Sequence, residues 1–258
     1  MILYKYTDIK TANLILKNST LKFSRASSLN DPFELSGMHY QKNNIRSNDN
    51  DRHYAVSLFY GILSLTRNPL NPLMWAHYAK GKKVPTDDIS CLDNDNNSHA
   101  GLVFGIDVEE AQFNSQELNY LPAKYGSVIY TSTKPTNPFE NSDNWYALQT
   151  DFKFNPDYLE ALQRIFLYKS SHWSYEEEVR IVRNMLYSDS GEIMTVDRSC
   201  FKEVYIGIRN AKDKKYLNSM QRKIKKYLPE CIIYVCDYDL SEWTLKKITI
   251  EQALERSS

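Results

Sequence analysis

The sequence predicts an α+β fold built from short strands with helices between them. Three observations carry this. Short apolar or alternating runs recur between clusters of turn-forming residues, as strands do. Stretches with apolar residues at helical spacing fall between them. The signatures of the large nucleotide-binding and hydrolase classes, GxGxxG, the P-loop, HExxH and GxSxG, are missing, and no repeat period is visible.

Taken in order, Ile2 to Tyr6 reads as a strand, and Thr7 as the N-cap of a helix with Ile9, Ala12, Ile15 and Leu16 on its apolar side. Asn18-Ser19-Thr20 stops that helix, and the alternation Leu21-Lys22-Phe23-Ser24-Arg25 predicts one strand. Asn30-Asp31-Pro32-Phe33-Glu34 is a turn by composition. After a polar stretch near 41–52, Tyr60 to Leu65 resumes a buried strand, and Pro72 opens a helix through Leu73 to Tyr78. A second polar stretch near 84–99 precedes the strand Gly101 to Asp107. Asn155-Pro156 starts a helix that carries Leu159, Leu162, Ile165, Phe166 and Lys169 along one face. A strand from Glu178 to Arg183, a strand from Glu203 to Ile208, an amphipathic helix from Ala211 to Leu228 and a strand from Cys231 to Cys236 complete the chain. In that last helix Leu217, Met220, Ile224 and Leu228 face inward, and Lys214, Lys215, Arg222, Lys225 and Lys226 form a solvated outer face. The whole of 1–258 is expected to be a single domain with polar insertions at the two stretches named.

Composition removes several classes of function. Thirty-two basic residues balance thirty-two acidic ones, so global charge does not drive binding to polyanions. Cys91, Cys200, Cys231 and Cys236 form no CxxC pair and lack a partnered histidine spacing, which argues against zinc and for reduced thiols. The opening segment lacks a secretion-type apolar core and no later run is long enough to span a bilayer, so the expectation is a cytoplasmic protein with no membrane partner.

The run Trp173-Ser174-Tyr175-Glu176-Glu177-Glu178-Val179-Arg180-Ile181 holds the densest chemistry. Read as extended chain, it puts Glu176, Glu178 and Arg180 on one face and Val179 and Ile181 on the other. That face is either the floor of a site or a solvated edge carrying an ion pair.

Four segments together resemble a large, mostly bacterial family of uncharacterised proteins. They are Leu3-Tyr4-Lys5-Tyr6; Leu29-Asn30-Asp31-Pro32-Phe33-Glu34; Trp75-Ala76-His77-Tyr78-Ala79 with Gly101 to Phe104; and Trp173 to Arg180. Leu29 stands where that family has Phe, and the 84–99 stretch separates the third motif's helix from its strand. The order of strand, helix, strand and a late strand opening with Glu is also similar to the ADP-ribosyltransferase superfamily. This second resemblance implies a mixed or antiparallel two-sheet core with flanking helices, and NAD as substrate in a cleft between the sheets. It also implies an acceptor that is a protein or a nucleic acid, as in toxins and antiviral effectors.

In such chemistry a fixed carboxylate faces the positive charge that grows on ribose as nicotinamide leaves. The resemblance implies Glu178 for that role, with Glu176 orienting or deprotonating the acceptor and Arg180 holding the acids ionised or meeting a phosphate. Lys5, Arg25 and Lys169 are candidate pyrophosphate donors; Tyr4, Tyr6, Trp75 and Tyr78 are candidate stacking residues; and His77, Asn30, Asp31 and Glu34 are candidate hydrogen-bonding groups. Trp75 reads better as core. Two other functions remain in view. One is a noncatalytic module that binds a nucleotide or a partner, and the other is a metal-dependent nuclease using Asp31, Glu34, Glu176 and Glu178.

Overall fold

The computed structural model describes residues 1–25, 28–29, 31–35, 41–42, 45–46, 56, 58–81, 97–135, 153–185 and 191–256. Asn30, Cys91 and most of the two polar stretches lie outside the described residues. In chain order the first elements are β1 (Ile2–Thr7), α1 (Ile9–Asn18), β2 (Thr20–Lys22), β3 (Ser24–Arg25), β4 (Gln41–Lys42), β5 (Ile45–Arg46) and β6 (Tyr60–Thr66). Then come α2 (Pro72–Tyr78), β7 (Leu102–Asp107), β8 (Ile129–Thr131), α3 (Leu159–Phe166), β9 (Tyr168–Ser170) and β10 (Glu178–Asn184). The last are β11 (Ile193–Thr195), β12 (Phe201–Ile206), α4 (Lys214–Tyr227), β13 (Ile232–Tyr238), β14 (Leu245–Thr249) and α5 (Ile250–Arg256). The class is α+β with mixed strand directions, as the sequence predicts.

These elements form two compact units. The first comprises Met1–Thr20, Thr66–Ala111 and Thr195–Ser258; the second comprises Leu21–Leu65 and Gln112–Met194.

In the first unit the strands run β1-β7-β12-β13-β14. All neighbours are antiparallel except β12 and β13, which are parallel and joined by α4. One face carries Leu3, Phe104, Ile106, Val204, Ile206, Ile233 and Val235, all buried, so it needs apolar cover. Apolar cover is available from Ile9, Ala12, Ile15 and Leu16 of α1, Leu217, Met220 and Ile224 of α4, and Ile250 and Ala253 of α5, each buried. The expected inner face of α4 is therefore correct. The opposite sheet face is polar and aromatic. Gly105 lies opposite both Tyr4 and Glu203, and a Cβ there would come within 2.9 Å of Glu203 Cβ and 3.1 Å of a Tyr4 ring carbon. Its missing side chain lets the Tyr4 hydroxyl donate to Glu203 at 3.1 Å.

The N-cap of α1 is Asp8, not Thr7. Asp8 accepts from the amides of Lys10 and Thr11, whereas the Thr7 hydroxyl donates to the Leu102 carbonyl at 2.9 Å. Asn71 caps α2, Pro72 fills its first position as expected, and Trp75 is fully buried, with its indole donating to the Pro69 carbonyl. Cys200, Cys231 and Cys236 are buried free thiols.

The second unit is built around β10, which pairs with β6, with β3 antiparallel to β6 and β8 parallel to β9. Its core collects Tyr60 and Ile62 of β6, Leu162, Ile165 and Phe166 of α3, Val182 of β10, and Tyr120, Leu121 and Phe154. The predicted strand 21–25 is broken at Phe23, because β2 pairs with β11 and β3 with β6; the Phe23 amide donates to the Glu192 carbonyl at 2.8 Å. Lys169 is not on the helix, since α3 ends at Phe166 and Lys169 lies on β9.

Candidate functional site

The acidic run is not one extended segment. Ser171–Glu176 forms a 3₁₀ turn, Glu177 takes a left-handed conformation at φ 45°, and the strand begins at Glu178. Glu176 and Glu178 therefore converge through a backbone reversal rather than through strand alternation. Nor is this a solvated edge, because Glu176, Glu178, Val179, Arg180, Ile181 and Val182 are all buried.

An isolated ion of this kind buried in protein costs several kcal/mol, so each of these charges needs partners. Arg180 is the hub. Its Nη1 and Nη2 donate to the two carboxylate oxygens of Glu34 at 2.7 Å each, and its Nε and Nη2 reach the two oxygens of Glu178 at 2.9 and 3.1 Å. Nη1 also donates to the Phe166 carbonyl at 2.7 Å. Lys169 Nζ is 2.6 Å from Glu176, 3.0 Å from Glu178 and 3.7 Å from Glu34. Three carboxylates thus share two cations.

Burial alone would raise the Glu178 carboxyl. The charges of Arg180 and Lys169, with hydrogen bonds from Arg180 and Ser64, overcome it and hold the group down at about 2. Burial likewise works against charge on Lys169, but Glu178 and Glu176 push its ammonium above the ordinary value. Tyr130 accepts a hydrogen bond from the Glu178 amide at 2.9 Å, and burial raises its phenol to about 12. Close packing makes this geometry possible at Gly126, where a Cβ would fall 1.9 Å from the Arg180 carbonyl oxygen. Glycine lets the two backbones touch, and the Arg180 amide donates to Gly126 at 2.8 Å.

Lys169 also lines a pocket of about 180 Å³. Asp31, Phe33, Thr131, Lys134, Tyr168 and Ser170 contribute further to its wall. Asp31 is buried and its Oδ1 accepts from the Phe33 amide at 2.9 Å. The Phe33 ring is largely exposed and lies 4.9 Å from Lys134 Nζ, while Trp173 lies 5.1 Å from Lys169 Nζ. A pocket with a carboxylate, two ammonium groups, hydroxyls and an aromatic ring suits a ligand with sugar and phosphate parts.

Of the expected site residues, Asp31, Glu34, Lys169, Glu176, Glu178 and Arg180 meet in the second unit. Arg25 belongs to the same unit, but its Nε is 3.1 Å from Glu192 and its Nη1 bonds the Leu58 carbonyl, so two of its three donor nitrogens are engaged. The donors of Arg180 are likewise spent on Glu34, Glu178 and Phe166, which leaves it no phosphate role. Tyr4, Lys5, Tyr6, His77 and Tyr78 belong to the first unit. There Tyr6 is buried against Trp75, its hydroxyl donating to the Asn68 carbonyl, which is a packing role. Tyr4 joins Glu203 and Tyr205; burial and the nearby Glu203 charge push its phenol to about 12. Phe33 falls within the Asn30–Glu34 turn without being a candidate site residue, and no motif or periodicity marks Lys134 or the 131–135 wall. Among the described residues no three or more His, Cys, Asp or Glu side chains are placed to share a metal ion.

A profile of the family described as "Protein of unknown function (DUF2971)" matches residues 74–181. The match includes Trp75–Ala79 and Trp173–Arg180 and leaves out the Leu3–Tyr6 and Leu29–Glu34 segments. No curated protein and no solved structure matches the chain.

Proposed function

We propose that the protein is an NAD-consuming enzyme of the ADP-ribosyltransferase type, with the nucleotide entering the Asp31–Lys169 pocket of the second unit. The observation that carries this reading is the position of Lys169, which lines the pocket and is bonded to Glu176 and Glu178 behind it. At about 180 Å³ the pocket is smaller than the roughly 300–1,000 Å³ of a site for a whole drug-sized ligand. It fits one end of a dinucleotide, a ribose with its phosphate.

In this reading Lys134 meets the phosphate, Lys169 contributes positive charge from the pocket wall while its ammonium stays on Glu176 and Glu178, and Asp31 faces the ribose. As the bond from ribose to nicotinamide breaks, the electron pair leaves with the base and the sugar becomes cationic. A carboxylate already fixed in place stabilises that charge with little reorganisation. Glu178 then acts as a positioning residue: with Glu176 it fixes Lys169 and does not touch the sugar. The acceptor is a protein or a nucleic acid.

A second reading is favoured by one observation, that both oxygens of Glu178 are engaged by cations. Such a saturated network also suits a noncatalytic nucleotide-binding module.

Incubation with NAD, chromatography for free nicotinamide and calorimetry for binding separate the two. The enzyme reading expects nicotinamide release that falls about 100-fold in Asp31→Asn, with an unchanged thermal midpoint because Asn keeps the oxygen that Phe33 donates to. Binding without release leaves the module. Neither binding nor release removes both.

A further inference from the structure

Ser170 closes β9 and lines the Asp31–Lys169 pocket, where parallel pairing sets it beside Thr131 of the same wall. There the chain turns. Ser170 caps the 3₁₀ turn Ser171–Glu176, and this brings the exposed His172 back toward it. His172 Nδ1 lies 2.8 Å from Ser170 Oγ, and the His172 amide donates to the same oxygen at 3.4 Å. When Nδ1 carries no proton it accepts from the hydroxyl, and a serine within about 2.6–3.2 Å of a histidine base has the arrangement of an activated nucleophile. The neighbouring Thr131 hydroxyl instead donates to the Thr133 carbonyl at 2.8 Å, an amide oxygen that holds a proton donor without taking its proton.

Transfer to an acceptor needs a group of this kind. Glu176, the base that the sequence offers, is buried with Lys169 Nζ 2.6 Å away, and Glu178 is held between Lys169 and Arg180. Both carboxylates are committed to cations. A sugar cation formed in the pocket is captured by a hydroxyl that is already held beside it and can shed its proton.

We infer that the chain is its own acceptor, with Ser170 as nucleophile and His172 as base in ADP-ribosylation of the pocket wall. This rests on the NAD reading and names the acceptor of that reaction. The bond from ribose C1 to the nicotinamide nitrogen breaks, and its electron pair leaves with nicotinamide. Ser170 Oγ bonds to C1, while the Oγ proton passes to His172 Nδ1 and from there to water. The products are neutral nicotinamide and a chain carrying ADP-ribose on Ser170.

The test incubates the full chain with NAD, follows free nicotinamide by chromatography and locates ADP-ribose on the chain by intact-mass and peptide-fragmentation spectrometry. The expected result is nicotinamide release with the label on Ser170, and labelling about 100-fold slower in His172→Gln. Release with an unlabelled chain, or with the label on another residue, would overturn self-modification and leave the NAD reading standing. An unchanged labelling rate in His172→Gln would remove the histidine from the step. No release from the wild type removes the NAD reading, and the inference falls with it. Mapping the label needs only the wild-type chain, so the outcome does not depend on a variant folding.

Discussion

Lys169 serves two neighbourhoods, lining an open pocket while its ammonium closes a buried set of acids. This division separates the effects of two conservative substitutions. Glu178→Gln leaves Arg180 with only one of its two carboxylate partners, so it should cost about 3 kcal/mol of stability in urea titration. Asp31→Asn, outside the ion network, should cost less than about 1 kcal/mol. Full stability of the Glu178 variant would mean that the buried pairing does not hold this region together. Loss of activity in that variant alone is therefore ambiguous, and Asp31 is the better probe of chemistry. The acids Glu34, Glu176 and Glu178 and the cation Arg180 are legible, since they stand out by type and spacing. Their saturation is not, because Arg180 is satisfied by a residue 146 positions away.

At the scale of elements, strands with strong apolar runs were read nearly to the residue, as β6, β7, β10 and β13 show. β6, β7 and β10 bury most of their side chains, so there the pattern has a single cause. Errors arose where a distant partner decided the local outcome. Periodicity predicts a helix through Lys169, yet the chain turns at Leu167 and pairs Tyr168–Ser170 with Ile129–Thr131. Glu177, expected within an extended run that leads into the strand, has a left-handed backbone instead, and this lets Glu176 join Lys169. Both Thr7 and Asp8 are plausible caps by type; the choice falls to Asp8 because β7 takes the Thr7 hydroxyl. Asp8→Ala should therefore lower stability by about 1 kcal/mol in thermal or urea unfolding, and an unchanged midpoint would show that α1 is held by packing alone.

Across the whole molecule, acid sensitivity follows from the buried acids. The folded-state pKa of Glu178, about 2, lies below its ordinary value of 4.5, so its contribution is complete above about pH 4.5. That contribution, on the order of 3 kcal/mol, is lost as pH falls from about 4.5 toward 2. Urea midpoints measured at pH 7, 4 and 3 should decline accordingly, and Glu178→Gln should flatten the decline; an equal slope in the variant would place the acid sensitivity elsewhere. Among the described residues no helix is long and apolar enough to cross a membrane.

The interleaving of the two units sets an order of events during synthesis. The second unit ends at Met194 and has all its residues once that point has left the ribosome, whereas β12, β13 and β14 of the first lie beyond it. For the time taken to translate those last residues, β1 and β7 are already made but lack the strands that complete their sheet, with one edge of β7 still waiting for β12. A nascent chain stalled at the length where Met194 has just cleared the ribosome should thus be protease-resistant in its later-starting, earlier-finished unit and cut readily in the rest.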